Sequence, residues 1–420
     1  MKTELLACGS ADWPLVAWTE DGEVRGARWR SERGAPPPVR VVLADDTLTA
    51  DAAFRLANAG SALLWRGDFH NARQLLQALA RRIDRPSRAQ RQRRQLRLRG
   101  APAPAPTVGD PAAFHLHRQA QAQRARVLSS VLIGLAPDCS IPLRRAPDWR
   151  DACTAAWGAP TADSMCSVVS LRELQGVASA HEWRSKGVFI PALGGCIHPH
   201  YGVYSPLRGE YVHLVDQAPL PDACRAVYGV AFDIGTGSGV LAALLVRRGV
   251  TRVVATDLEP RALACAAYNL QRLGLVDQVS LQTANLFPDG QADLIVCNPP
   301  WIPARPGAPI ERAVYDEGGR MLAGFLAGLA QHLLPGGEGW LVLSDLAEHL
   351  GLRTRSALTA MFAEAGLRVV GRLDTRPRHA KVDDTEDALH VARAAEVTSL
   401  WRLVAADETE VEGAAEPNVR

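Results

Sequence analysis

The sequence predicts an α/β protein whose C-terminal half is a mostly parallel sheet covered by helices. Three observations carry this. From about residue 226, short β-branched runs alternate with helical patterns. A glycine turn separates the first of those strands from its helix, and a later strand ends at Asn298-Pro299-Pro300-Trp301. Strand–helix alternation at this spacing implies parallel pairing, because each return to the same sheet edge needs a crossover helix. The elements read in order as a strand over 227–234, a helix over 240–248, a strand over 252–256 and a helix over 262–273. Strands over 279–283 and 292–297 follow, then a helix over 321–334, a strand over 339–343, a helix over 356–365, and strands over 367–373 and 399–404.

Upstream, Leu15-Val16-Ala17-Trp18 and 39–43 read as strands. A helical pattern over 52–82 carries Phe54, Leu56, Ala57, Leu63, Leu64, Leu75, Leu76 and Leu79 at mixed three- and four-residue steps. A long helix is expected over 111–135, rich in the helix formers Ala120, Ala122 and Ala125. Between these patterns, Arg81–Arg99 holds nine arginines and one aspartate, a local charge of +8 that leaves the remainder at −6 against an overall +2. Gly100-Ala101-Pro102-Ala103-Pro104-Ala105-Pro106 follows and is too proline-rich for helix or sheet. The expected organisation is a small α+β unit at 1–83, an Arg-rich and Ala/Pro-rich linker at 84–112, a helical substrate-selecting region at 113–187, a C-terminal domain at 188–405 and a disordered tail at 406–420.

At 420 residues, with 47% apolar and 22% charged side chains, the chain has material for two or three cored domains. Its longest apolar runs are about seven residues, far short of the ~18–20 that span a bilayer. Met1-Lys2-Thr3-Glu4-Leu5-Leu6 lacks a signal-peptide core, so a soluble, cytoplasmic protein with no membrane partner is expected. The eight cysteines never form a C-x-x-C pair, which points to reduced thiols and no metal site. Arginine supplies 44 of 47 basic residues, a skew that discounts arginine richness as evidence for nucleic acid.

The candidate site begins at Asp233-Ile234-Gly235-Thr236-Gly237-Ser238-Gly239, an apolar strand running into a glycine turn. Glycines allow a ligand to lie against the backbone and supply turn conformations that other residues avoid. The G-x-G-x-G spacing departs from the dinucleotide fingerprint, since Val240 stands where glycine or alanine is needed; a P-loop is excluded by the missing G-K-[ST] ending. Asp257, at the tip of the next strand, is placed to accept two hydroxyl bonds from a ribose, a feature that dinucleotide enzymes share. Downstream, two consecutive prolines at 299–300 end a strand where the sheet opens to solvent, the edge at which such sheets bind ligands.

In this order and spacing, these motifs resemble the class I S-adenosylmethionine-dependent methyltransferases. Within that class they are similar to the protein-(glutamine-N5) methyltransferases that modify release factors, with N6-adenine and rRNA methyltransferases as neighbours. The resemblance covers about residues 188–405, including the lead-in Gly202-Val203-Tyr204-Ser205-Pro206 and the segment Asp257–Asn269. It implies a Rossmann-like, mostly parallel seven-stranded sheet whose last strand is antiparallel, and S-adenosylmethionine as cofactor. The cofactor-binding residues it implies are Asp233, Gly235, Thr236, Gly237, Gly239, Asp257, Asn285 and Asn298. Gly235, Gly237 and Gly239 would line the methionine part, Asp257 the ribose and Asn285 the adenine. Two residues depart from the family: Asn285-Leu286-Phe287 replaces the common Asp-Leu-Phe, and Trp301 stands where the glutamine enzymes usually carry tyrosine.

The catalytic residues expected are Asn298, Pro299, Pro300 and Trp301. A planar amino nitrogen is a poor nucleophile because its lone pair is delocalised. Asn298 Oδ1 and the Pro299 carbonyl can accept its two N–H bonds and aim the lone pair at an incoming methyl, while Trp301 offers a flat face. The acceptor expected is a protein glutamine amide, in a translation factor or ribosomal component. The alternatives are an RNA or DNA base amino group, a small-molecule nitrogen, or a non-catalytic scaffold on the same fold. His198-Pro199-His200 reads as loop, Asp345 and Glu348-His349 as a helix cap and first turn, and Trp340 as sheet core.

Overall fold

The computed structural model describes residues 13–84, 109, 111–206, 209–307, 309–377, 384 and 387–406. They fall into two compact units, Met1–Pro106 with Leu116–Glu182, and Thr107–His115 with Trp183–Arg420.

The first unit is built on a six-stranded mixed sheet of β1 (Leu15–Glu20), β2 (Glu23–Arg30), β3 (Arg40–Ala44), β4 (Ser61–Trp65), β5 (Val131–Leu135) and β6 (Ser167–Ser170), in the order β1-β2-β6-β5-β4-β3. Asp21 and Gly22, both at positive φ, make the tight β1–β2 turn. Alternate residues divide between two apolar clusters. Leu63, Trp65, Val131, Ile133 and Val169 pack with Phe69, Leu75 and Leu79 of the helix Phe69–Ile83. Ala62, Leu64, Leu132 and Val168 join Val16, Ala27 and Trp29.

This unit corrects three expectations. The pattern over 52–82 is not one helix: Ala50–Asn58 ends before Gly60 at φ +84, and Ser61–Trp65 is a wholly buried strand. The helix expected over 111–135 stops at Leu128, and Val131–Leu135 forms β5. Short apolar runs buried on both faces lack the alternation that marks a half-exposed strand, so they mimic helix. It follows that 113–187 is not a separate helical region, because its β5 and β6 pair with β4 and β2 from the segment before the arginine run. Arg81 and Arg82 close the helix Phe69–Ile83, and Arg82 pairs with Asp51. Residues 85–108, which hold the rest of the arginine run and most of the Ala/Pro linker, lie outside the described residues, as does the tail from 407.

The second unit carries the hairpin β7 (Val188–Ile190) and β8 (Gly195–Ile197) and a seven-stranded sheet. Its strands are β9 (Val230–Ile234), β10 (Arg252–Asp257), β11 (Val279–Thr283), β12 (Ala292–Cys297), β13 (Leu333–Ser344), β14 (Leu367–Thr375) and β15 (Thr398–Ala405). They run in the order β11-β10-β9-β12-β13-β15-β14, and β15 alone runs opposite to the other six strands. This is the predicted α/β sheet, element by element. Leu294 and Val296 of β12 face one core layer, Ile295 and Cys297 the other. Trp340 is fully buried, as expected of sheet core, with its indole N–H donated to Glu338 at 2.9 Å. The seven described cysteines are unpaired, and five are buried. Among the described residues, no helix is long and apolar enough to cross a membrane.

Candidate active site

Strand register assembles the site. Ile234 lies opposite Thr256 on β10 and opposite Cys297 on β12. Gly235, Asp257 and Asn298 are the next residues on three adjacent parallel strands, spaced ~4.8 Å apart across the sheet. The chain order reverses around β9, so this carboxyl edge is a topological switch point, where open α/β sheets hold ligands.

The glycine turn needs its glycines. Gly235, Gly237 and Gly239 have φ of +72°, +55° and +80°. A Cβ on Gly239 would stand 3.1 Å from Ala266 Cβ and 3.2 Å from its Cα. The turn is braced from below: Asp233 Oδ2 accepts from Thr236 Oγ1 at 2.7 Å and from the Ala242 amide at 3.0 Å. Asp233 and Thr236 are both buried, so the structure places them beneath the turn, holding its shape. Asp257 Oδ2 accepts from the Gly237 amide at 3.0 Å and its Oδ1 from the Glu259 amide at 2.9 Å. Burial raises the Asp257 pKa against those bonds.

Burial also pushes the Asp233 carboxyl up to about 6, opposed by the Thr236 and Ala242 bonds. A folded-state value above the unfolded one means that the ionised group costs stability above pH ~6, a cost relieved as pH falls toward ~4. Wild type is therefore expected to gain, between pH 7 and pH 4, on the order of 3 kcal/mol relative to Asp233→Asn. Urea unfolding of both proteins at the two pH values measures it; equal gains would show that Asp233 is not the titrating group.

Asn285 follows β11 and is exposed. Its neighbour Leu286 has φ +73°, a strained left-handed conformation for leucine. Four contacts hold Leu286 and the adjoining Phe287 in place. Thr256 Oγ1 donates to the Leu286 carbonyl at 2.6 Å. A Cβ on Gly324 would come within 2.7 Å of Leu286 Cδ1, and one on Gly328 within 2.6 Å of the Phe287 ring. The Phe287 ring stacks on His332 at 4.3 Å. Gly324 and Gly328, one turn apart in the helix Arg320–His332, thus seat the loop that presents Asn285. Sequence reasoning missed them, though two glycines at i and i+4 inside a good helix were the available signal.

At the third corner, Asn298 Oδ1 accepts the Trp301 indole N–H at 2.9 Å. Trp301, expected to offer a flat face, is half-buried and packed against both core layers, and its N–H is committed to Asn298. Because the indole is a donor only, this bond fixes which end of the Asn298 amide is oxygen, and leaves that oxygen one further lone pair.

A strap over 198–206 is tied to the turn by Asn269, whose Oδ1 accepts from the His198 amide at 2.8 Å and whose Nδ2 donates to the Ser238 carbonyl at 2.9 Å. The His200 amide contacts Cys265 Sγ at 3.3 Å. Desolvation, with a smaller contribution from Arg184, depresses His200 to about 4, leaving it neutral at pH 7. His198 Nδ1 bonds the Arg184 carbonyl at 2.6 Å. Among the described residues, no cluster of three metal-ligating side chains occurs. Asp345 accepts from the Val397 amide at 2.7 Å and pairs with His349 and Arg355.

These residues fit S-adenosylmethionine. The glycine turn is a neutral cradle for the methionine part, Asp257 suits a ribose diol and Asn285 suits an adenine edge. In the strap, Ser205 Oγ and His200 Nε2 are buried with no hydrogen-bond partner among the described residues.

Part of this chain is similar to known methyltransferases. The ribosomal protein L11 methyltransferase (PrmA) family matches residues 222–331. A ribosomal protein L11 methyltransferase of Pelotomaculum thermopropionicum is 46% identical over 72 residues, 17% of this chain and 23% of that protein. A release factor glutamine methyltransferase of Cereibacter sphaeroides is 33% identical over 169 residues, 36% of this chain and 58% of that protein. The crystal structure of a ribosomal protein L11 methylase from Lactobacillus delbrueckii subsp. bulgaricus is similar at 20% identity, over 48% of this chain and 79% of that one, with a TM-score of 0.32. Over residues 222–331 the second unit matches a methyltransferase family model, the relatives it resembles are named methyltransferases, and S-adenosylmethionine is the cofactor that fits the site. Its similarity runs to proteins named for ribosomal protein L11 and for release-factor glutamine, of which it spans about a quarter and about three-fifths, respectively.

Proposed function

We propose that the second unit methylates a planar amino nitrogen of a protein, a glutamine side-chain amide. The observation that carries this reading is Asn298, its amide oriented by Trp301 at the switch point beside the glycine turn. S-adenosylmethionine supplies an electrophilic methyl on a sulfonium with a good leaving group. The chain's part is to hold the acceptor nitrogen. Asn298 Oδ1 and the Pro299 carbonyl accept its two N–H bonds and draw its lone pair out of conjugation. A carbon–nitrogen bond forms as the carbon–sulfur bond breaks, and the nitrogen loses one proton to solvent. No strong base is required, so positioning carries most of the rate. The similarity to release factor glutamine methyltransferases supports a protein acceptor. The first unit is proposed to select that acceptor.

The test is transfer of tritiated methyl from S-adenosylmethionine into a bacterial lysate, split into protein and nucleic-acid fractions. Label is expected in protein, on material that releases N-methylglutamine after total proteolysis. Label in RNA or DNA alone would replace the glutamine reading with a base acceptor, and label in no fraction would favour a scaffold.

A further inference from the structure

One buried side chain joins three segments of the second unit. Asn269 is fully buried on the helix Pro260–Leu273. Its Oδ1 accepts the His198 amide at 2.8 Å, and its Nδ2 donates to the Ser238 carbonyl at 2.9 Å and the His198 carbonyl at 3.4 Å. Two carbonyls that share one nitrogen are close neighbours, so the strap and the glycine turn meet there. From that point the strap follows the helix back toward its start. The His200 amide meets Cys265 Sγ at 3.3 Å, and a Cβ on Gly202 would stand 3.4 Å from Arg261 Nη1. Arg261 opens the helix just past Asp257. At the far end of the strap, Tyr204 acts electrostatically on the buried Tyr211, as does Asp233 beneath the turn.

The strap is therefore a wall of the pocket that the glycine turn and Asp257 define. It is neither helix nor strand, and its own backbone holds it weakly, with the Val203 amide on the His200 carbonyl at 3.0 Å. Ser205 Oγ and His200 Nε2 in this wall are buried with no hydrogen-bond partner among the described residues. Unmet buried polar atoms are unfavourable, and a polar guest lying against the wall accounts for them. What keeps the wall in place is a side chain that itself touches no guest, because all three of its bonds go to backbone of the strap and the turn.

We propose that Asn269 is a positioning residue for S-adenosylmethionine: by holding the strap against the glycine turn it retains the bound nucleoside and sets how fast cofactor and product leave. The assignment rests on the cofactor reading of the site and is independent of the acceptor. Stopped-flow binding of S-adenosylhomocysteine to the full chain and to Asn269→Ala, well below both melting temperatures, tests it. The variant is expected to release the ligand about tenfold faster, the scale of one lost hydrogen bond, with association rate and binding stoichiometry unchanged. A purely structural role would instead lower the stoichiometry and leave the release rate of the remaining sites alone, and that result overturns the proposal. Hydrogen exchange on the wild type covers a variant that does not fold. Amides over 201–205 should exchange at least tenfold more slowly with S-adenosylhomocysteine bound, and equal exchange overturns the proposal. A wild type that binds no S-adenosylhomocysteine removes the cofactor reading and this assignment with it. A wild type that binds it, and releases it as the variant does, removes this assignment alone.

Discussion

Asn298→Ala is expected to bind S-adenosylmethionine within a few-fold of wild type and to lose about 10²–10³ in transfer rate. The asymmetry follows from where the residue sits. The glycine turn, Asp257 and Asn285 lie on the β9, β10 and β11 side, and none of their bonds depends on Asn298. On the proposed reading, the amide oxygen of Asn298 acts on the acceptor nitrogen, where charge develops only as the methyl moves, so its removal should be felt in turnover. Calorimetry with the cofactor and single-turnover labelling separate the two effects. Trp301→Phe sharpens the test, since phenylalanine keeps the ring in the core and removes only the bond that orients Asn298. It is expected to lose about tenfold in rate at unchanged cofactor affinity. Wild-type turnover in Asn298→Ala would sink the proposed chemistry.

Gly239→Val is expected to cost about 3 kcal/mol or more of stability. Two costs coincide there. The φ of +80° is hostile to a β-branched residue, and the new Cβ would press on Ala266 Cβ and Cα at 3.1 and 3.2 Å. Ala266 is itself fully buried in the helix Pro260–Leu273, so it cannot give way cheaply. Gly249→Ala is the control: its φ is +98° but no atom lies within 4 Å of the added Cβ. It should cost only about 1–2 kcal/mol. Urea denaturation of both variants measures the difference, and equal losses would mean that crowding by Ala266 contributes nothing.

What could be read in advance was uneven, for physical reasons. In the second unit, strands separated by amphipathic helices and punctuated by Gly235 and Pro299 leave a strong periodic signal, and β11 and β12 fall where expected. Gly235, Asp257 and Asn298 come together because parallel register follows from that alternation. The first unit was misread where the pattern is uniform: Ala62-Leu63-Leu64-Trp65 and Val131-Leu132-Ile133 are apolar at every position, and only pairing partners far along the chain make them strands. Long-range partners also explain the smaller surprises. Nothing near Trp301 announces that its N–H reaches back to Asn298, and nothing near Asp233 shows that burial turns it into a brace for the turn.

The helix Arg320–His332 has a consequence for how ligands communicate. Its Met321 reaches toward Gly235, its Gly324 and Gly328 seat the loop bearing Asn285, and Asp316, which caps its first amides, hangs from Ile302. One stiff rod therefore underlies the glycine turn, the Asn285 loop and the Asn-Pro-Pro-Trp loop together. On the proposed reading, a guest that nudges the rod from the Ile302 side should be sensed at the glycine turn and the Asn285 loop at once, without any domain having to swing.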